Sequence, residues 1–130
     1  MNVPTQEIPR ENWMNYFNDV SKLYQGWGVE VEVLDRDYGD QPEVKGLPLQ
    51  GLSYEPAGSE ANDILVEAGD LPMGYITHHV NNPKVVRAAP TMPGVETDIE
   101  IESEEGYTTL VHIRQRPELP PPGQAQIRPS

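Results

Sequence analysis

Few side chains in this sequence have the chemistry for acid–base or metal work. His78 and His79 are adjacent, Thr77 precedes them, and His112 stands alone further on. Imidazole titrates near neutral pH and ligates metals through either ring nitrogen. A histidine pair with Thr77 and an acid such as Asp63 is therefore the place to look for proton transfer or a bound ion. Neighbours on a strand point to opposite faces, however, so His78 and His79 cannot hold one ion without distortion. His78 alternates in phase with Ile76 and Val80, which predicts a hydrogen-bonded histidine in the wall of a β-structure. No catalytic, cofactor-binding or metal-binding residue is assigned, and no cofactor is expected.

The acidic residues lend themselves to two readings. Asp35, Asp37 and Asp40 surround Gly39 in a faint likeness of a calcium loop. The twelve-residue EF-hand loop needs glycine sixth and a bidentate glutamate twelfth. Counted from Asp35, glycine falls fifth and Gly46 stands twelfth, so a polar hairpin turn is expected instead. Glu30 and Glu32, like Asp98, Glu100 and Glu102, recur at period two and read as solvated strand faces. Such faces discourage edge-to-edge pairing or attract a basic partner. No nucleophile elbow, phosphate loop, H-E-x-x-H or dinucleotide glycine pattern occurs. Arg114-Gln115-Arg116-Pro117-Glu118-Leu119-Pro120 fits the loose pattern of ligands for proline-binding domains.

Composition bounds the rest. With 9 Lys and Arg against 21 Asp and Glu, the net charge is −12, and a phosphate backbone or anionic membrane repels such a chain. Nucleic acid and membrane are thus not expected partners; a protein with a basic surface is. The sequence has no cysteine, which excludes disulfides and thiolate sites and fits a reducing compartment. Residues Met1 to Glu7 have neither the basic cluster nor the apolar run of a signal peptide. A soluble, cytoplasmic protein is expected.

The elements that would position these residues follow from periodicity. Trp13, Tyr16, Phe17, Val20 and Tyr24 form a helical stripe, with Gly26 as its stop, and predict a helix from about 10 to 25. Trp27 to Leu34 alternates as a half-buried strand. A second strand, Glu43 to Tyr54, is interrupted by Gly46, Pro48 and Gly51, which predicts a sharp bend. Strands follow at Asp63–Ala68, Gly74–Val80 and Lys84–Ala89, with Asn81-Asn82-Pro83 as a turn. Asp98–Glu102 and Tyr107–Arg114 form the clearest hairpin. From Arg116 on, prolines and a lack of apolar residues predict a disordered or polyproline II tail. The expectation is one domain over 1–114 and a tail over 115–130. Its fold is mainly β (α+β): an N-terminal amphipathic helix, then six or seven antiparallel strands. They form either a strongly bent open sheet with the helix across it or a small Sm-like or SH3-like barrel.

Several segments also look familiar. Ile8-Pro9-Arg10 with Trp13 and Phe17, Gln25-Gly26-Trp27, Leu47-Pro48-Leu49 with Gly51, Thr77-His78 running into Asn82-Pro83, and Ile99-Glu100-Ile101-Glu102-Ser103 before Gly106 together resemble a bacterial domain-of-unknown-function family, DUF5335. The likeness covers about residues 6 to 114 and implies a bacterial origin. Members often carry a histidine and an acid before the proline, where this chain has Asn81 and Asn82, so the resemblance assigns no catalytic residue. The sequence points to a non-enzymatic accessory or protein-interaction module. A small-ligand or metal binder, or an enzyme, using the His78/His79 strand is the alternative.

Overall fold

The aromatic stripe folds as predicted. In the computed structural model, which describes residues 5–35, 37, 39–56, 62–70 and 74–115, Trp13, Phe17, Val20 and Tyr24 are all buried on one side of helix α1 (Trp13–Tyr24). A single 3-10 turn, Arg10–Asn12, leads into it after the extended Pro9. Gly26, at φ +87°, ends it in the left-handed conformation that only glycine adopts without strain.

Among the described residues there are eight strands, all but the first on period-two segments: β1 (Gln6–Ile8), β2 (Gly28–Asp35), β3 (Gly39–Glu55), β4 (Asp63–Asp70), β5 (Gly74–Asn81), β6 (Pro83–Ala88), β7 (Thr97–Ser103) and β8 (Tyr107–Arg114). They make one antiparallel sheet in the order β1-β6-β7-β8-β2-β3-β4-β5. β3 is the bent strand: it pairs with β2 through Pro48 and with β4 from Leu49 onward, with register shifts that skip Glu43 and Gly46 against β2 and lie between Leu49 and Gly51 against β4. The sheet folds over at this bend, so that Val29, Val31, Val111 and Ile113 from one half and Leu52, Ile64, Val66 and Val80 from the other contribute to one core. Fully burying each such side chain contributes roughly 1.5–3 kcal/mol.

The sheet is open, which settles between the two architectures: no Sm-like or SH3-like barrel closes. Consecutive strands β5 and β6 do not pair. At Asn82 (φ +50°) the chain turns out of one half of the sheet into the other rather than back on itself. The Asn82 N–H donates to Asn62 O at 2.9 Å and its carbonyl accepts from Glu104 N at 2.8 Å, which fixes the corner. The sequence pattern also missed one strand: among the described residues the sheet has eight rather than six or seven. β1 has three residues, too few to show alternation, and is recognised only by its pairing with Val86–Ala88.

Where β2 diverges from β3, the freed backbone of β3 is covered by the helix. Ser21 Oγ accepts from Leu52 N at 2.8 Å and donates to Leu52 O at 2.9 Å, and Gly51 lets the helix approach at that point. The proline-rich segment 116–130, with the proline-ligand pattern in it, lies outside the described residues.

Candidate functional site

Strand β5 carries the histidine pair, and the alternation separates it as expected. His79 is exposed and its Nδ1 lies 3.3 Å from Asp63 Oδ2 on β4. Asn81, with its amide nitrogen turned toward Asp63, reaches the same carboxylate at 3.2 Å. His78 points the other way and is half-buried opposite Val66. Its Nε2 is buried without a hydrogen-bond partner, contrary to the satisfied histidine that the sequence suggested. Burial lowers its pKa from the ordinary 6.5, against the opposing pull of Glu43. The acid and base Asp63 and His79 thus do meet, but on an exposed strand face. Among the described residues, no group of three or more His, Asp or Glu side chains is arranged to hold a metal ion.

The third histidine is the best-connected one. On the outer face of the sheet, His112 on β8 lies between β2 and β7. Its Nε2 is 2.7 Å from Glu32 Oε1 and its Nδ1 2.8 Å from Asp98 Oδ1. Arg114 adds an ion pair to Asp98 at 2.7 Å, and further along the face Arg87 bridges Glu100 and Glu102. The outward carboxylates of β7 are therefore largely matched by cations, and the face is a cross-strand ladder rather than a bare acidic one. Burial alone would lower the His112 pKa, but hydrogen bonds to Asp98 and Glu32 together with their charges outweigh it and raise the pKa above 6.5. The hydrogen bond from His112 lowers Glu32, while the hydrogen bond with Glu32 raises Asp40.

The two histidines give stability opposite slopes with pH. A raised folded-state pKa means that the stabilisation from His112 is complete below 6.5 and is lost as pH rises through the folded value. His78 is depressed, so the unfolded state takes the proton more readily and stability rises with pH up to 6.5. Melting temperature is therefore expected to fall on the alkaline side of 6.5, and His112→Gln to flatten that limb alone. An unchanged limb in the variant would remove His112 as its source.

β2 runs back into β3 here, with Leu34 opposite Asp40 and Asp35 opposite Gly39, as a hairpin requires. Asp37 N–H donates to Asp35 Oδ1 at 2.7 Å, and Gly39 supplies a positive φ of 78°. What the sequence did not show is that the turn between β7 and β8 lies beside it. Asp35, Asp37, Glu104 and Glu105 line one surface recess of about 370 Å³. Among the described residues no Lys or Arg forms an ion pair with Asp37, Glu104 or Glu105, although Glu105 accepts a hydrogen bond from Asn82 Nδ2 at 2.6 Å. A second recess of about 310 Å³, lined by Gly28, Val29, Glu30, Lys45, Gly46 and Arg114 among others, follows the irregular register between β2 and β3. Among the described residues no helix is long and apolar enough to cross a membrane.

The comparisons with known proteins agree with one another. No solved structure matches the chain. A protein of Aquifex aeolicus (strain VF5), described as uncharacterized, is 35% identical over 116 residues, covering 89% of this chain and 97% of its own length. The sequence profile described as "Family of unknown function (DUF5335)" matches residues 4–122, and the chain belongs to that family.

Proposed function

We propose that this protein is a non-enzymatic accessory module that binds another protein through its acidic surface, with a basic partner. The observation that carries the reading is the uneven distribution of charge. The outward carboxylates of β7 have Arg87, His112 and Arg114 as ion-pair partners, whereas Asp37, Glu104 and Glu105 gather around one recess without an arginine or lysine ion pair among the described residues. Within a chain of net charge −12, that recess offers several carboxylates together to a Lys or Arg side chain of a partner, and the overall charge steers a basic protein toward the chain.

The test is capture from native lysate at low and high salt, with wild-type protein and an Asp37→Asn/Glu104→Gln/Glu105→Gln variant as baits. Binding of a basic protein is expected to weaken as salt rises, because exposed charges are screened beyond about 8–10 Å. The variant is expected to lose it at low salt. Capture that ignores both salt and the three substitutions would overturn this reading.

A second reading, a small-ligand or metal binder on the histidine strand, is favoured by the unpartnered Nε2 of His78. Metal retained by purified protein and released by His78→Ala would support it. A lone half-buried imidazole with His79 on the opposite face makes it the weaker of the two.

A further inference from the structure

Both edges of the open sheet are strands, and they are protected very differently. β1 is three residues long and runs straight into Pro9, a device that ends strand addition. β5 has eight residues in unbroken register with β4 and contains no Asp, Glu, Lys, Arg or Pro, in a chain that is otherwise densely acidic. Tyr75 is 63% and Ile76 43% exposed.

The direction of its free hydrogen-bonding groups follows from one end. Asn81 N–H donates to Tyr107 Oη at 2.9 Å and Asn81 O accepts from Ser103 Oγ at 2.6 Å, so both groups of Asn81 point away from β4. Backbone groups alternate side along a strand. The N–H and C=O of Tyr75, Thr77 and His79 therefore point the same way, into the open edge, where no described strand pairs with them.

We infer that β5 pairs with β5 of a second copy of this chain, antiparallel, about a two-fold axis at Thr77. Free groups at 75, 77 and 79, closed off at 81, are self-complementary in one antiparallel register. Tyr75 faces His79 of the partner subunit, Thr77 faces its own counterpart, and about six backbone hydrogen bonds form. The side chains agree with that register. An aromatic–imidazole pair flanks a Thr–Thr pair on one face, and Ile76 is covered by His78 of the partner subunit on the other. No charged residue of β5 meets a like charge. The two copies of Glu67, on β4, stand three strand spacings apart, roughly 14 Å, beyond the screening length at physiological salt.

This interface is separate from the acidic recess, and its salt dependence has the opposite sign. Two chains of charge −12 repel at long range, so self-association strengthens as salt rises, whereas capture of a basic partner weakens. The full chain is expected to sediment as a dimer at moderate salt. Since the sequence has no cysteine, single substitutions report register cleanly. Opposed Cα atoms at Thr77 lie about 5.5 Å apart in such a pair, within disulfide reach, whereas Tyr75 and its counterpart are roughly 14–15 Å apart. Under mild oxidation Thr77→Cys is expected to form a disulfide dimer on the order of tenfold or more faster than Tyr75→Cys. Thr77→Pro, whose lost N–H is not bonded to β4, is expected to be monomeric with a nearly unchanged melting temperature. Equal crosslinking rates for the two cysteine variants, or a wild-type monomer at all salt concentrations, would overturn the pairing. If Thr77→Pro unfolds, the ratio of crosslinking rates still decides. Loss of the lysate partner leaves this inference standing, and a monomer leaves the acidic recess standing.

Discussion

Gly69→Ala is expected to lower the stability of this protein by on the order of 3–5 kcal/mol. Gly69 lies on β4 opposite Tyr75 with a φ of +118°, a conformation that L side chains rarely adopt. The space is also taken: a Cβ there would lie 2.1 Å from the carbonyl oxygen of Gly74 and 2.9 Å from the Cα of Tyr75. Both obstacles are backbone of β5, so relief requires the edge strand to move away from β4. Gly74→Ala separates the two effects. It has a similarly unfavourable φ of +95° but nothing within 4 Å of the added atom, so only backbone strain of roughly 1–3 kcal/mol is expected. Chemical denaturation of both variants gives the comparison. Equal losses would mean that conformation alone, not the close approach of β5, makes position 69 a glycine.

The second large effect is expected at Trp13. Its ring is 1% exposed, meets Tyr54 edge-on at 5.0 Å between centroids, and carries the Arg10 guanidinium 4.3 Å from its own centroid. Its indole N–H donates to Ile8 O at 2.8 Å, which ties β1 to the helix. Arg10 in turn donates to Tyr54 Oη at 3.0 Å and to Pro83 O at 2.9 Å. Trp13 and Arg10 together thus join the N-terminal strand, the helix, β3 and the start of β6. Trp13→Ala is expected to cost about 3–5 kcal/mol through lost burial and the cavity left behind. Trp13→Phe keeps most of the apolar contact but removes the bond to Ile8, at roughly 0.5–1.5 kcal/mol. In that variant, amide exchange of β1 and its partner strand β6 should accelerate while β2 and β8 stay protected. Uniform acceleration across the sheet would show that the indole N–H has no special hold on β1.

What the sequence revealed, and what it hid, divides along the range of the interactions. The helix was legible because Trp13, Phe17, Val20 and Tyr24 repeat at a period that one helix alone explains. The β7–β8 hairpin was legible because both its strands alternate around a turn ending in Gly106. The bend of β3 was visible in Gly46, Pro48 and Gly51. Alternation reports which side chains share a face, but not which strand lies alongside. The likeness to an Sm-like barrel therefore failed at the β5–β6 corner, where closure depends on two strands pairing or parting around Asn82. The same limit hid the acidic recess, which needs the β2–β3 and β7–β8 turns side by side. It also hid His112, whose partners Glu32 and Asp98 come from two different strands. Ser21 gave no signal at all: a serine in a helix reads as solvated, and only the parting of β2 and β3 turns it into the cover for Leu52. For His78 the face was read correctly and its bonding was not, because phase says nothing of what lies opposite a ring nitrogen.

The place of β2 in the sheet bears on how the chain comes to be folded. β2 lies between β3, its immediate successor, and β8, which comes after every other strand, and it pairs with β8 over its whole length from Gly28↔Arg114 to Asp35↔Tyr107. Closing so long a loop carries an entropic cost that must be met before the pairing returns anything, and topologies of this kind fold slowly. During synthesis the meander β2–β5 emerges first and has its local partners at once. The inner edge of β2, with Val29 and Val31, must then wait until β8 has left the ribosome. Through that interval a strand at the centre of the finished sheet is a second open edge, and Glu30 and Glu32 on its outer face are the charges that discourage a wrong neighbour from taking the place of β8.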